Sequence, residues 1–489
     1  MRICEPLRGT GCDGTTRKGC AHAAERRVHR IEAYSSAPVN HHPLSASLLR
    51  VSKKQRLTIT AIAAIYPLIS SGFLAGHKRR LLLSHHTEAA RTSLCIEQRQ
   101  GIIKRVALMS NVVAHSIKSY LFRTGSWIYA QISHLKRFHP LVITDKKSNL
   151  DIFPVAEIYS LSDLNPLNRL AQQQYVKLTG SSYPFFARVL RNKGAALIHS
   201  HFGNRGYFDL PLKQKLDIPL VTTFYGHDVS LLPREERWQR RLKQLFADGD
   251  LVLAEGNYMK KTLVELGCPE GKVKVQHLGV NLNSIPFIPR KPDGAHRIKI
   301  LVAGTFREKK GITYALEAFA RVASRHKNLE LTLVGDAGRS QREVDYKNEI
   351  LSLIGARNIA ARVNYLGFLP YPAFIQEAQN NHIFLSPSIH PSDGETEGGA
   401  PVALIEMSAY GMPIVSTFHC DIPEVVVDGA SGFLVPEKDI NALAERLEYL
   451  ITNPELWESM GRAGRSHIEK NFNIELQAAR LEEHYDSLL

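Results

Sequence analysis

The sequence predicts an α/β protein made of two doubly wound, Rossmann-like domains that face each other across a cleft. Three observations predict this fold class. Short continuous apolar runs alternate with amphipathic stretches from residue 104 onward, as in parallel sheets that helices cover on both faces. The alternation restarts after the proline-rich residues 285–294, which cannot continue a helix or an inner strand and are therefore predicted to be a linker. The chain then ends in one amphipathic helix.

The first predicted domain covers residues 104–289. Its predicted strands are residues 106–110, 141–144, 195–199, 219–223 and 251–254. Amphipathic stretches at residues 127–138 and 258–266 are predicted helices. Asp248-Gly-Asp250 has the spacing of a metal–nucleotide motif, but it precedes a strand. Because ligands of such sheets bind after the strands, we interpret this segment as a turn.

The second predicted domain covers residues 290–472, and residues 473–489 form the terminal helix. Its predicted strands are residues 297–303, 329–334, 382–385, 413–416 and 432–435. A helix is predicted at residues 313–325 from apolar positions that recur at helical spacing, and another at residues 401–409, where a glycine-rich loop opens into it. The terminal helix carries a single apolar stripe of Ile474, Ala478, Leu481, Tyr485 and Leu488.

Composition excludes two broad classes. Of the 489 residues 44% are apolar and 22% charged, which excludes a wholly disordered chain and a polytopic membrane protein. The net charge is +15, but residues 1–105 hold 18 Lys and Arg against 6 Asp and Glu. A basic balance can indicate nucleic acid or an anionic membrane as partner. Here it belongs to the N-terminal segment alone, so we expect no nucleic-acid partner.

Residues 1–103 lack the α/β alternation, and we interpret them as a basic, poorly ordered extension or as the product of a start codon assigned too far upstream. An apolar run at residues 57–76 has the length of a membrane span, although proline, threonine and serine dilute it. A membrane span and an interfacial anchor are the alternatives. Cys268 and Cys420 are isolated in the body, which indicates a reducing compartment, and we expect the cytoplasm.

The densest polar segment is residues 390–406, which follow a predicted strand and open a helix. A glycine-rich loop that leads into a helix N-terminus offers backbone N–H groups to an anion, whereas carboxylates such as Glu397 and Glu406 accept hydrogen bonds from hydroxyls. The combination suits a ligand with phosphates and sugar hydroxyls. The alternative is that the acidic residues only stabilise the helix N-terminus.

Three other segments follow predicted strands. The cations Arg307, Lys309 and Lys310 could clamp a diphosphate or form a solvated basic loop. His199 and His201 have no third ligand at a matching spacing, so we predict no metal site. In residues 224–228 a histidine stands beside an aspartate, and both a structural and a catalytic role stay open for that pair.

Together these segments resemble a known family. Residues 104–489 are similar to GT-B-fold retaining glycosyltransferases of family 4, above all to the branch that builds exopolysaccharides such as colanic acid. The resemblance rests on the paired glutamates at residues 397–406, their continuation at residues 411–417 and 422–435, and the cationic loop at residues 306–311. The terminal helix resembles the one that crosses back onto the first domain in this fold.

The resemblance implies a donor site in the second domain. The implied catalytic residues are Arg307, Lys310 and Glu397, and the implied donor-binding residues are Gly304, Gly398, Gly399 and Glu406. Glu406 would bind the ribose, and Glu397 with the adjacent glycines would hold the sugar. Arg307 and Lys310 would neutralise the departing diphosphate, which would take the proton of the acceptor hydroxyl. The donor would be a UDP- or GDP-hexose, as a co-substrate, with no cofactor and no metal.

The resemblance places the acceptor on the first domain. The implied acceptor-side residues are Gly125, Ser126, His201, Tyr225, His227 and Asp228. The acceptor would be a lipid-linked saccharide, so we expect peripheral contact with the cytoplasmic membrane face. Lys136, Arg137 and the basic residues within 188–193 are candidates for the docking face.

Three features depart from the family pattern. Eight residues separate Glu397 from Glu406 where the family has seven. Thr305 stands where the loop arginine usually lies, so Arg307 would have to reach from a shifted position, and Tyr225 replaces a histidine. These departures leave open a degenerate GT-B domain that binds a nucleotide or a partner without turnover. The fold alone also allows an epimerase or a phosphorylase.

Overall fold

The computed structural model describes residues 111–292 and 297–489, and their strands form two parallel sheets. The first sheet has seven strands in the order β3-β2-β1-β4-β5-β6-β7. They are β1 Val112–Ser119, β2 His139–Lys146, β3 Ile158–Ser160, β4 Ala195–His201, β5 Leu220–Thr223, β6 Leu251–Ala254 and β7 Val273–Val275. Because the strand order reverses between β1 and β4, the carboxyl ends of these two strands border a crevice.

The second sheet has six strands in the order β10-β9-β8-β11-β12-β13. They are β8 Ile298–Ala303, β9 Leu329–Val334, β10 Val363–Gly367, β11 Ile383–Ser386, β12 Ile414–Thr417 and β13 Gly432–Val435. Its order reverses between β8 and β11, which makes a second crevice. Two doubly wound parallel sheets and a returning terminal helix are the predicted GT-B architecture, and this prediction is confirmed.

Helices cover the sheets. In the first domain they are α1 Ser126–Ser133, α2 Pro166–Thr179, α3 Pro184–Lys193, α4 Gly203–Leu216, α5 Gly226–Ser230, α6 Glu236–Asp248 and α7 Asn257–Glu265. In the second they are α8 Ile312–Arg325, α9 Gln341–Ala356, α10 Tyr371–Asn380, α11 Val402–Ala409, α12 Ile422–Val425, α13 Ile440–Thr452 and α14 Leu456–Asn471, and the chain ends with α15 Ile474–Asp486.

The sequence explains why these elements form where they do. All seven residues of β4 are buried, as expected of a strand covered on both faces. Helix α8 buries Leu316, Phe319 and Val322, which recur at helical spacing. Gly311 precedes this helix with φ +62°, and a Cβ there would lie 1.8 Å from the Pro387 carbonyl oxygen, so only glycine fits.

The terminal helix α15 packs against the first domain. Leu481 and Tyr485 are buried beside Val113 and Leu197 of the first sheet. The Glu482 carboxylate accepts from the backbone N–H of Arg137 at 2.6 Å and from its Nε at 3.1 Å. Arg137 also pairs with Asp486, and Lys136 with Glu475. These two cations therefore hold the terminal helix, and their expected part in a membrane-docking face stays a prediction.

Several boundaries differ from the expected ones. The predicted extension at residues 1–103 and the predicted strand at residues 106–110 lie outside the described residues, and the first described strand begins at Val112. The predicted helix at residues 127–138 ends at Ser133, because the chain enters β2 at His139. The short strands β3, β7 and β10 were not predicted. Within residues 111–292 and 297–489, no helix has both the length and the apolarity to span a bilayer.

Candidate active site

The two crevices meet where a loop of each domain touches the other. Residues 224–228 follow β5 in the first domain, and residues 387–401 follow β11 in the second. A Cβ on Gly226 would lie 2.3 Å from the Glu397 carbonyl oxygen, and a Cβ on Gly398 would lie 2.4 Å from the Gly226 Cα. Glycine at both positions therefore lets the domains approach each other at this contact.

A cationic cluster lies at the carboxyl end of β8. The turn Glu308–Lys310 and the preceding Arg307 carry it, and each cation faces a carboxylate of the loop after β11. The Lys310 ammonium is 2.8 Å from the Glu397 carboxylate, and the Arg307 guanidinium is 2.7 Å from the Glu395 carboxylate. Lys309 reaches the same Glu395 oxygen at 3.2 Å. The structure thus brings the predicted Arg307, Lys310 and Glu397 together and adds Lys309 and Glu395.

Charge keeps Glu397 ionised. Burial alone would raise the pKa of this carboxyl, but Lys310 and Lys309 outweigh burial and hold the pKa at about 2. The Ser388 hydroxyl donates to the same carboxylate at 3.1 Å. Glu397 is therefore an acceptor at neutral pH, which suits a residue that binds sugar hydroxyls.

Glu406 lies on α11 in a different environment. Burial raises the pKa of its carboxyl to about 7, and the hydrogen bond that Tyr371 donates at 2.9 Å works against that rise. The phenol is the one hydrogen-bond donor found for this carboxylate among the described residues. Tyr371 belongs to the start of α10 and did not figure in the sequence prediction. Its exposed side chain fixes one oxygen of Glu406 and leaves the other for a ligand.

The predicted glycines shape the backbone around the cations. Gly304 lies at the end of β8, where a Cβ would contact the Lys310 side chain at 3.4 Å. Gly335 approaches Gly304 closely, since a Cβ on Gly335 would lie 1.8 Å from the Gly304 carbonyl oxygen. Gly398 has φ +79°, and a Cβ on Gly399 would collide with the Glu255 carboxylate. The structure places all three predicted glycines at the crevice.

The loop after β11 is held by a second group that the sequence did not predict. His390 and His419 both approach one oxygen of Glu437 at 2.7 Å. Burial alone would raise the pKa of Glu437, but hydrogen bonds from His419 and His390 bring it to about 2. The Glu397 backbone N–H donates to His419 Nε2 at 3.3 Å. This group therefore holds the loop that presents Glu397.

The first domain presents a buried, uncharged hydrogen-bond network at the same edge. His201 Nδ1 lies 2.7 Å from the Tyr225 hydroxyl, and its Nε2 lies 3.1 Å from Nδ1 of His115 on β1. His199 lies 2.7 Å from the Tyr485 hydroxyl of the terminal helix. Burial lowers the pKa of all three histidines, to about 3 for His115, so the rings are neutral.

His115 on β1 is a third histidine beside His199 and His201, and the sequence did not reveal it because it lies far from them in the chain. Ligand atoms of the three lie within 4.8 Å of one another. However, the rings of His199 and His201 stack at 4.5 Å with 24° between their planes, so their in-plane lone pairs do not converge. Both nitrogens of His199 have partners in Tyr485 and Thr223. This geometry fits a hydrogen-bonded network better than a tetrahedral metal site.

Three of the predicted acceptor-side residues are buried in this structure. His201 and Asp228 are fully buried and Tyr225 is 3% exposed, so none of them presents a surface to an acceptor in this arrangement of the domains. The Asp228 carboxylate instead accepts from the backbone N–H of Gly203 at 2.6 Å and of Tyr225 at 2.8 Å. Burial raises its pKa to about 7. Asp228 therefore fixes the turn that carries Gly226.

The other three predicted acceptor-side residues differ in exposure. Gly125 is buried at the start of α1, and Ser126 is half-buried beside it. His227 is exposed. Partial burial lowers its pKa, while Glu395 raises it and Lys309 lowers it further. The segment Asp248-Gly-Asp250 forms the predicted turn, where Asp250 accepts from the Leu220 backbone N–H at 2.7 Å.

Comparison with known proteins places this chain in a family. Residues 286–467 match the family described as glycosyl transferases group 1, and residues 158–284 match the family described as Glycosyltransferase Family 4. A putative colanic acid biosynthesis glycosyltransferase, WcaL of Salmonella typhimurium, is 32% identical over 290 residues, which cover 59% of this chain and 69% of the relative. The amylovoran biosynthesis glycosyltransferase AmsK of Erwinia amylovora is 30% identical over 286 residues, which cover 58% and 68%.

Solved structures share the fold. Anabaena HepE in complex with UDP and glucose has a TM-score of 0.61 and 19% identity, and the match covers 77% of this chain and 100% of that one. A sucrose-phosphate synthase from Thermosynechococcus elongatus has a TM-score of 0.60 and 17% identity, and the match covers 77% and 99%. At this identity the likeness concerns the fold alone.

Proposed function

This chain belongs to the glycosyltransferases of group 1 and family 4, and we propose that it transfers a hexose from a UDP- or GDP-sugar to a saccharide acceptor with retention of anomeric configuration. The single observation that carries the proposal is the cationic cluster of Arg307, Lys309 and Lys310 at the carboxyl end of β8. Its relatives WcaL and AmsK support a place in exopolysaccharide biosynthesis.

The cluster is suited to bind a diphosphate. In this structure the cations face Glu395 and Glu397, so an incoming diphosphate would exchange one set of anions for another. Lys310 and Arg307 would then stabilise the charge that develops on the departing nucleotide diphosphate. Because three side-chain cations stand at this position, we propose that they neutralise the diphosphate without a metal ion.

Glu397 and Glu406 are each suited to a different part of the donor, the sugar and the ribose. Glu397 is ionised and lies at the contact between the domains, which suits a sugar that must face an acceptor. Glu406 has one oxygen bound by Tyr371 and one available, which suits a pair of ribose hydroxyls. The departing diphosphate would accept the proton of the acceptor hydroxyl on the face that it leaves, which gives retention.

The first domain supplies support for a lipid-linked acceptor at the cytoplasmic membrane face. Helix α2 has no buried residue, and Leu167 and Leu178 on it are 80% and 82% exposed. Arg169 and Lys177 lie on the same helix. An apolar helix surface with basic neighbours fits an anionic lipid surface. We propose peripheral contact through α2.

The experiment is a turnover assay with the full chain. UDP- and GDP-hexoses are supplied with extracted lipid-linked saccharides, nucleotide release is measured, and the anomeric configuration of the product is determined by NMR. We expect release from one nucleotide class and an α-linked product from an α-linked donor. The inverted configuration would refute retention. No turnover of any donor, with nucleotide binding intact, would favour a non-catalytic binding protein.

Membrane contact is tested by co-sedimentation with phosphatidylglycerol vesicles. The double variant L167D and L178D should lose binding. Val344→Asp, on the half-exposed surface of α9 in the second domain, is the matched control and should keep it. Equal sedimentation of both variants would contradict a role for α2.

A further inference from the structure

Glu255 is a buried carboxylic acid that the mechanism above does not use. It follows β6, at the carboxyl edge of the first sheet, and is 9% exposed. Among residues 111–292 and 297–489, its backbone N–H and carbonyl have partners in Met259 and His277, whereas no donor to its carboxyl group is found. A buried carboxyl group without a hydrogen bond costs free energy, so this position calls for a ligand donor.

The carboxyl group faces the donor loop of the other domain. A Cβ on Gly399 would lie 1.8 Å from Glu255 Oε2, so the Gly399 backbone packs directly against this oxygen. Gly399 stands in the turn that contains the additional residue between Glu397 and Glu406. The longer spacing therefore coincides with the segment at which Glu255 meets the loop, and a side chain at residue 399 would not fit.

Other acids in this region already have partners. Asp421 Oδ1 accepts from the Tyr258 backbone N–H at 2.6 Å, and Glu424 accepts from the Asn257 backbone N–H at 2.6 Å. Both cap the N-terminus of α7 from the opposite domain. Glu255 lines a small cavity beside Asp421 and Glu424 but caps nothing. It is the member of this group with a carboxyl group left for another molecule.

The surrounding charges fit a hydroxyl better than a cation or a phosphate. Burial raises the pKa of Glu255 well above its ordinary value, and Asp421, Asp228 and Glu397 raise it further, while Lys309 opposes them. When it is ionised, a carboxylate in such surroundings repels a phosphate. When it is protonated, it has no charge to attract a cation. It still accepts from and donates to a neutral hydroxyl.

We propose that the Glu255 carboxyl group hydrogen-bonds a hydroxyl of the donor's sugar, across the cleft from Glu397, when a nucleotide sugar is bound. This assignment rests on the proposed function. It makes Glu255 a first-domain residue that recognises the donor, which the second domain otherwise holds. The free nucleotide lacks the sugar and so gains nothing from this contact.

The test is calorimetric titration of the full chain and its Glu255→Ala variant with UDP, GDP, UDP-glucose and GDP-mannose. Glu265→Ala, at an exposed acid on α7, is the matched control. We expect Glu255→Ala to weaken binding of the recognised nucleotide sugar about tenfold, as for the loss of one hydrogen bond, and to leave the affinity for the free nucleotide within about twofold. The control should match the wild type with both ligands.

Several outcomes would overturn the assignment. Equal loss for nucleotide and nucleotide sugar would mean that Glu255 acts on closure of the domains and not on the sugar. Unchanged affinity for the nucleotide sugar, with slower transfer, would mean that Glu255 binds a hydroxyl of the acceptor and not of the donor. A wild-type protein that binds none of the four ligands would refute the proposed function itself, which is a different result from any of these.

Discussion

The carboxyl edges of the two sheets face each other and differ in the charge of the side chains that they carry. The first sheet ends in buried, neutral side chains, in which His115, His201 and Tyr225 hydrogen-bond one another. The second ends in charges, in which Lys310 and Arg307 meet Glu397 and Glu395. Neutral groups that hydrogen-bond one another inside the protein offer no charge to an incoming phosphate. Paired charges at a crevice can exchange a carboxylate for a phosphate.

The difference indicates that the cationic edge binds the ligand and that the neutral edge holds the loop with Gly226 in position. The cationic edge offers charged side chains with which a diphosphate could pair. The neutral edge connects the terminal helix, through Tyr485 and His199, to the strands that lead to Tyr225. The loop with Gly226 rests on this network and touches Glu397. We therefore expect variants at the cationic edge to change binding and turnover, and variants at the neutral edge to change stability first.

The largest expected effect is that of Lys310→Ala on turnover. Removing one preorganised charge that stabilises a leaving group typically costs about 100-fold to 1000-fold in rate, or about 2.7–4 kcal/mol. We expect that loss in kcat with the selected donor, and a smaller loss in nucleoside affinity. Lys327→Ala, an exposed cation of the same domain, is the control. Equal turnover of both variants would remove Lys310 from the mechanism.

Glu406→Ala should come next. If its carboxylate binds the ribose, the variant loses on the order of 1.5–3 kcal/mol of nucleotide binding, the range for hydrogen bonds to charged groups. Calorimetry with the nucleotide that binds measures this directly, and Glu349→Ala on the exposed face of α9 is the control. A Glu406→Ala variant with wild-type affinity would refute the ribose role.

His115 in the first domain and Glu406 in the second should respond to pH with opposite signs. The folded-state pKa of His115, about 3, lies below its ordinary value of 6.5, so its contribution to stability is present above pH 6.5 and is lost as the pH falls. The folded-state pKa of Glu406, about 7, lies above its ordinary value of 4.5, so its contribution is full below pH 4.5 and is lost as the pH rises through 7.

Each contribution amounts to about 2 kcal/mol over 1.5 pH units, at about 1.36 kcal/mol per unit. We expect His115→Asn to lose less stability than the wild type between pH 6.5 and about pH 5, and Glu406→Gln to gain less stability over the same fall in pH. Thermal unfolding at several pH values measures both. Parallel pH profiles for the two variants would contradict the opposite signs expected for His115 and Glu406.

The smallest expected effect is that of Tyr371→Phe. The variant removes the hydrogen bond to Glu406 and should weaken nucleotide binding by about 0.5–1.5 kcal/mol. Because that hydrogen bond lowers the pKa of Glu406, its loss should also move the pH midpoint of nucleotide binding upward. Tyr314→Phe on α8 is the control. A weaker affinity without a shifted midpoint would mean that Tyr371 acts only by packing.

The sequence was sufficient for the architecture because its signals are local. Continuous apolar runs predicted β4, β6 and β13 within two residues of their observed ends, and the glycine-rich acidic loop predicted α11. Strand β1 was missed because His115 and Ser116 interrupt its apolar run. Short strands such as β3 and β7 carry too few residues for a pattern.

The candidate site was predictable only in part, because its remaining residues come from distant segments. Arg307 and Lys310 follow a strong strand and could be found by position. Tyr371 and Glu395 acquire significance only through the partners that folding brings to them. The burial of His201 was equally invisible, since a histidine after a strand reads the same whether its ring points to the crevice or into the core.

The account's central claim is that the cationic edge of the second domain holds a nucleoside diphosphate. The most direct test is calorimetric titration of the full chain with UDP and, separately, GDP, at low and high salt. We predict binding of one nucleotide and not the other, with an affinity that falls as salt rises and falls again in Lys310→Ala. A folded protein that binds neither nucleotide would contradict the claim.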